Sequence, residues 1–302
     1  MERLVKSKIE SGRVAIHWLG QGGFAFKAHS GEALLVDPYL SDSASIGDGA
    51  TRMADIPIRP KDVRVGYLFL THDHAAHTDP HTAPVIAQSN PDASIVCPPS
   101  SSHHLTKLGV PSSRITTVLP GQSLEFPGFK AHVVAAHHTE DSVGYLFEFA
   151  NSGSETDAIS VYITGDTEYS EGLAAAVAEY GPEVLLLPIN GRDGNMNASQ
   201  AAKITAQIAP REVIPMHYGM FEEDAAEPAD FLAYLAVADP DNEITPVVMG
   251  HNSCHIYCPE ESIKGKHARA EARSTRARAA HSSHQHQDGQ RSPGGGHIST
   301  QR

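Results

Sequence analysis

At 302 residues, 40% of them hydrophobic, the chain can bury one large core or two modest ones and needs no stapling as a small scaffold would. The formal net charge of -13 argues against a phosphate-backbone ligand, which draws on a Lys/Arg surface, so nucleic acid is not an expected partner. No run approaches the roughly 18–20 apolar residues of a membrane span, Met1 to Gly12 lacks the apolar centre of a secretory signal, and Cys97, Cys254 and Cys258 cannot build a disulfide framework; a cytoplasmic address without a membrane partner is expected.

Short apolar runs punctuated by turn residues predict strands at Val14–Trp18, Phe24–Lys27, Leu34–Asp37, Tyr67–Thr71, Ser94–Cys97, Phe129–Ala136, Gly144–Phe149, Ser160–Thr164, Val184–Pro188, Val213–Met216 and Pro246–Gly250. Helical periodicity falls at about Pro80–Ser89, Ser101–Leu108, Glu171–Glu179, Ala198–Ile208 and Pro228–Ala236. Many strands with helices interspersed suggest stacked sheets covered by helices. Near Pro259 the periodicity stops and the composition turns to Ala, Arg, Ser, His, Gln and Gly, with eight Lys/Arg against four acids. Residues 1–258 are therefore read as one domain and 259–302 as a disordered His/Arg/Ser-rich tail, whose five histidines are left out of any site.

The chemistry concentrates where strands end. His72, His74 and His77 follow the apolar run Tyr67–Leu70, so a strand-to-helix loop on a rigid sheet would carry three imidazoles. Imidazoles at this spacing converge on borderline cations such as zinc or manganese. His137-His138, Thr164-Gly165-Asp166 and Pro215-Met216-His217 also place a polar ligand after an apolar strand, which makes a dinuclear site plausible. Other patterns are weaker. His251, Cys254, His255 and Cys258 read better as a final strand than as a zinc site, and Gly20-Gln21-Gly22-Gly23 is a turn with no Gly-Lys-Ser/Thr of a phosphate loop. No Gly-x-Ser-x-Gly elbow supports a serine triad.

In order and spacing, the His-x-His-x-x-His cluster, the His-His-Thr, the Thr-Gly-Asp-Thr and the Ile-Pro-Met-His-Tyr resemble the metallo-β-lactamase superfamily. The stretches from His17 to Phe24, Val36 to Leu40, Leu187 to Arg192 and Gly194 to Asn197 look like its L-ascorbate-6-phosphate lactonase-like branch. The resemblance covers about residues 13 to 258. It implies an α/β fold, a four-layer αββα sandwich, with one or two Zn2+ or Mn2+ ions between the sheet edges. By that mapping His72, His74 and His138 hold the first metal, Asp166 bridges, and His77 and His217 hold the second; His138 is preferred to His137 because the family's ligand directly precedes a small polar residue, here Thr139. The family's usual run is His-x-His-x-Asp-His, and this chain has Ala76 where the carboxylate stands. A methyl group cannot ligate, so a weaker or empty second position is expected. Asp73 and Asp79 are the carboxylates near enough to compensate, with hydrogen bonding around the ligands or helix capping as the plainer reading.

The expected activity is metal-dependent hydrolysis, since a bound cation lowers the pKa of water from about 15.7 to about 7 and supplies hydroxide at neutral pH. Asp166 and Asp73 are the candidate catalytic carboxylates, Arg192 and Asn190 the candidate substrate contacts, Arg192 through bidentate binding of an anion. The resemblance favours a small-molecule substrate, a lactone derived from a sugar or sugar phosphate. A metallo-phosphodiesterase on the same fold is one alternative. A degenerate relative that binds a metal or metabolite without turnover, because of Ala76, is the other. A homo-oligomer is compatible with all three.

Overall fold

A computed structural model describes residues 8–29, 33–44, 49–151, 154–222 and 226–259. They belong to the compact unit Met1–Pro259; the tail expected from 259 onward lies, past that residue, outside the described residues. Strands β1 (Val14–Gly20), β2 (Gly23–Ala28), β3 (Ala33–Val36), β4 (Tyr67–Phe69), β5 (Ser94–Cys97) and β6 (Ile115–Thr117) build one sheet. Then β7 (Ser123–Phe126), β8 (Phe129–Ala135), β9 (Val143–Asn151), β10 (Ser154–Ile163), β11 (Val184–Pro188), β12 (Glu212–Met216) and β13 (Thr245–Pro246) build a second, and β14 (Cys254–Tyr257) returns to the first, beside β1. The helices are α1 (Ala83–Ser89), α2 (Pro99–Lys107), α3 (Gly172–Val177), α4 (Ala198–Ile208) and α5 (Pro228–Ala238).

Each sheet is antiparallel on one side and parallel on the other. The first runs β14-β1-β2-β3 antiparallel and β3-β4-β5-β6 parallel, and the second β7-β8-β9-β10 antiparallel and β10-β11-β12-β13 parallel. The change of direction falls at β3 and β10. Loops after parallel strands diverge at such points and leave a crevice at the strands' carboxyl ends.

Alternation along the strands sorts side chains between layers. Leu34, Val36, Tyr67 and Phe69 join the inter-sheet core with Phe129, Tyr145 and Phe147 of the second sheet. Leu35, Leu68, Leu70 and Ile95 point the other way, against Ala83, Ile86 and Leu105 of α1 and α2. On the far face of the second sheet, Leu173, Val177, Ala201 and Ile204 of α3 and α4 extend the main core. The result is the expected αββα sandwich. At one edge the sheets are tied directly, with Val143 N donating to Thr71 O at 3.0 Å and Tyr145 Oη to Leu70 O at 2.7 Å.

Three local readings change. The strand expected at Pro246–Gly250 stops at Pro246: Val247 N still donates to Val213 O of β12 at 2.8 Å, but two residues on the backbone has turned to Tyr218, whose hydroxyl donates to Met249 O at 2.6 Å and accepts from Met249 N at 3.1 Å. Strands β6 and β7 were not anticipated. Both lie at sheet edges with little burial, so their sequences lack the long apolar run of a central strand.

Candidate metal centre

Every expected metal ligand sits just beyond the carboxyl end of a strand, on the edge where the two sheets meet. His72, His74 and His77 follow β4, His138 follows β8, Asp166 follows β10 and His217 follows β12. Turning the chain sharply there requires unusual backbone. Asp37 (φ 44), Gln21 (φ 52) and His217 (φ 61) all lie in the left-handed region that side chains with a Cβ disfavour. Gly165 (φ +63) makes the turn into Asp166, and a Cβ on Gly22 would stand 2.8 Å from His77 Cε1 and 3.2 Å from His217 Nε2. Glycine at 22 is thus a condition for the two imidazoles to approach.

The first group is a tripod. The rings of His72, His74 and His138 lie pairwise 4.7–4.8 Å apart and nearly perpendicular, and His138 Nε2 is 3.1 Å from His74 Nδ1. That separation is close to the roughly 3.3 Å edge of a tetrahedron with metal–nitrogen bonds of about 2.0–2.1 Å. Thr71 Oγ1 donates to Asp37 Oδ2 at 2.5 Å, so it accepts at 2.9 Å from His72 Nδ1–H, and His72 Nε2 keeps its lone pair. That nitrogen is buried and without a hydrogen-bond partner. Burial, reinforced by the neighbouring His77, holds the His72 imidazole well below its ordinary pKa, in the neutral form that ligates.

The second group is His77, Asp166 and His217. Asp166 Oδ1 lies 2.7 Å from His217 Nε2 and 3.4 Å from His77 Nε2, while Asp166 Oδ2 accepts from Asn195 Nδ2 at 2.9 Å and faces His138 Nε2 at 3.7 Å. Asp166 thus stands between the two groups. Although only 2.7 Å apart, Asp166 Oδ1 and His217 Nε2 are not aligned as a hydrogen bond, and both are buried without a partner. Buried polar atoms are nearly always paired, so three orphaned ligand atoms converging on one crevice fit a divalent cation. Burial would raise the Asp166 pKa, but His217 and His77 outweigh it and hold the carboxyl well below its usual range. Burial would likewise lower that of His77, yet Asp166 and Asp37 push it up to about 10.

The remaining candidates divide clearly. His137 is exposed and in no ligand group among the described residues, its backbone N–H donating to Thr167 Oγ1 at 3.0 Å, whereas His138 is the histidine brought to the cluster. Asn190 and Arg192 line the cavity above the ligands. Asp73 is half-buried and belongs to none of the three ligand groups that the described residues form, nor to the cavity lining. Asp79 is buried and fully engaged, accepting from Ser41 Oγ at 2.7 Å, His81 N at 2.9 Å and the Thr82 hydroxyl, so it pins the loop after β3 to the start of α1. Ala76 faces the cavity and packs with Tyr39, Met220 and Phe221. His255 of β14 pairs with Glu212 of β12 at 2.7 Å, and no ligand group among the described residues contains it or the nearby cysteines. Asp37, Gln21 and Asn195 were quoted in the sequence motifs without a role; Asp37 carried the same signal as Asp166, a polar residue ending an apolar strand.

Two mixed sheets between helices, with a histidine–carboxylate cage on their shared edge, define a metal-dependent hydrolase of the αββα class. The family model described as "Beta-lactamase superfamily domain" matches residues 32–218. A UPF0173 metal-dependent hydrolase of Herpetosiphon aurantiacus is 30% identical over 220 residues, covering 68% of this chain and 83% of that protein. One from Archaeoglobus fulgidus is 26% identical over 243 residues, covering 78% and 97%. Among solved structures, a metallo hydrolase from Ignicoccus hospitalis superposes with a TM-score of 0.63 at 23% identity, covering 81% of this chain and 98% of that one. The chain belongs to the metallo-β-lactamase superfamily and, within it, to the UPF0173 metal-dependent hydrolases.

Proposed function

We propose that this hydrolase opens a lactone, with water rather than a side chain as the nucleophile. The observation that carries the reading is the cavity lining. A cavity of about 580 Å3 stands over the ligands, and its lining has no Ser, Thr, Cys, Lys or Tyr among the described residues, so none of the hydroxyl, thiol or amine nucleophiles of covalent acyl transfer stands there. His72, His74 and His138 would hold a divalent cation, with Asp166, His77 and His217 the donors of a second position, and a bound cation would supply a Lewis acid and acidify a water.

The chain's own groups do the rest. Asp166 is held ionised, so its carboxylate is placed to ligate and to orient the attacking water rather than to store its proton. Asn195 fixes the carboxylate by donating to Oδ2, and its own Oδ1 is fixed by Thr167 N at 3.0 Å. Arg192, exposed on the rim, makes no ion pair among the described residues and is placed to meet the carboxylate that ring opening creates.

The test is a panel of lactones beside p-nitrophenyl phosphodiesters, run with zinc and with manganese on protein of measured metal content. Lactone turnover that tracks bound metal is expected. Turnover of phosphodiesters alone would replace the reading with a phosphodiesterase, and full metal content without turnover of either would make the chain a binding relative.

A further inference from the structure

The cavity has two unlike walls. On one side stand Asn190, Arg192, Asp193 and Asn195; on the other Ala44, Ala50, Ala76 and Phe221, with Tyr39 and Met220 fully buried behind them. The apolar wall starts at the ligands themselves, because Ala76 lies between His74 and His77. Resting on the lactone reading above, we propose that the substrate is an alkyl-substituted lactone whose hydrocarbon flank packs on Ala44, Ala50, Ala76 and Phe221.

Three observations carry this. First, Ala44, Ala50, Ala76 and Phe221, the described residues of the apolar wall, offer no side-chain hydrogen-bonding group, so a sugar hydroxyl turned toward them would surrender water without replacement, at a cost of roughly tenfold or more in affinity for each hydroxyl. Second, cationic recognition is thin. Among the described residues Arg192 is the only Lys or Arg in the lining and has Asp193 beside it, whereas Arg52 lies outside the lining, its Nε donating to Ala54 O at 2.6 Å and its Nη1 to Ser41 O at 3.0 Å, with its guanidinium over the Tyr39 ring and its Nη2 buried. One exposed guanidinium with a carboxylate beside it can make one bidentate pair, which is enough for a single carboxylate. Third, about 580 Å3 is well inside the range of small-ligand cavities, leaving room for a ring with several carbons attached.

The reaction balances simply. The water oxygen bonds to the acyl carbon, the acyl C–O bond of the ring breaks, one proton goes to the ring oxygen to make the hydroxyl, and the other leaves the new carboxylic acid to solvent. The product is a hydroxyalkanoate, apolar at one end and anionic at the other, as the two walls are.

The experiment uses the metal-loaded full chain with δ-lactones bearing no substituent, then two-, four- and six-carbon chains, and a hydroxylated lactone of equal ring size. We expect kcat/KM to rise about fourfold per added methylene until the wall is covered, and the hydroxylated lactone to be at least tenfold poorer than the alkyl ones. Phe221→Ala and the milder Ala76→Ser should each flatten the slope. A flat alkyl series with the hydroxylated lactone preferred overturns the proposal and leaves lactone opening intact. If no lactone is opened, the lactone reading fails by itself, and the wall is still decided by calorimetry: tighter binding of heptanoate than of gluconate supports it, and equal or weaker binding overturns it.

Discussion

Asp37 Oδ2 lies 2.7 Å from His77 Nδ1 and also accepts the Thr71 hydroxyl, which in turn accepts from His72 Nδ1–H, so one carboxylate at the end of β3 orients a ligand in each metal group. Asp37 Oδ1 takes Thr71 N at 2.8 Å, and the carboxylate is buried with every bond made inside the protein. Removing it should therefore loosen both groups together. Asp37→Ala is expected to lower metal affinity by about 10- to 100-fold and stability by about 2–3 kcal/mol; Asp37→Asn, which keeps an acceptor, should lose less of each. Metal content after dialysis, beside thermal melting, checks this, and unchanged retention in Asp37→Ala would show that the carboxylate does not position the ligands.

The raised pKa of His77, about 10, is a property of the metal-free protein. Because the folded value lies above the ordinary one near 6.5, its contribution to stability is complete below about pH 6.5 and is lost as pH rises through about 10. A cation at His77 Nε2 must displace that proton while Nδ1–H stays on Asp37. Metal uptake at pH 7 should release about one proton from this histidine, and affinity at the second group should rise by about tenfold per pH unit toward 10. Titration calorimetry in two buffers of different ionisation enthalpy measures the proton count; a count of zero would contradict the assignment of His77 as a ligand.

Gln21 touches His217 from behind. Its amide nitrogen lies 3.0 Å from His217 Nδ1, and its buried Oε1 has no hydrogen-bond partner. If His217 is to present Nε2 to a cation it must carry its proton on Nδ1, and an amide turned to offer Oε1 would accept it. Gln21→Glu should then preserve metal stoichiometry, whereas Gln21→Met should lose the second cation about 10-fold more readily. Equal retention in the two variants would assign Gln21 a packing role only.

Ala76 leaves the second group with two imidazoles and a shared carboxylate. The wild type should hold one cation firmly and exchange a second. Ala76→Asp is expected to raise the stoichiometry toward two, since a carboxylate brings charge as well as an oxygen. With Tyr39, Met220 and Phe221 beside it, the same substitution should destabilise the metal-free protein by about 1–2 kcal/mol, recovered on adding metal. Two firmly held metals in the wild type would defeat the idea. Asp79 is already consumed by Ser41, His81 and Thr82, so the extra ligand would have to come from elsewhere.

Where the clustered imidazoles and carboxylate sit was legible in the sequence because each is a polar residue following an apolar run, and such a run has few ways to sit other than as a central strand. The local signal placed His72, His74, His77, Asp166 and His217 at strand ends, while their sharing out between two metals came from the family resemblance; α4, with Asn197 capping Gln200 N at 3.0 Å, was equally local. Edge strands β6 and β7 escaped because an edge buries little, and the strand expected beyond Pro246 gave way to a tyrosine 28 residues earlier in the chain, Tyr218. What only the tertiary structure decided is pairing across long separations. The choice of His138 over His137, the capture of Asp79 by Ser41, the link from Asp37 to His77 and the apolar company of Ala76 each depend on segments roughly 40 to 140 residues apart in sequence, the Asp37 and Asp79 links brought about by the pairing of β3 with β4 and the others by the two sheets burying their inner faces against one another. Periodicity reports which way a side chain points from its own strand, and it carries no information about what the opposite sheet will set against it.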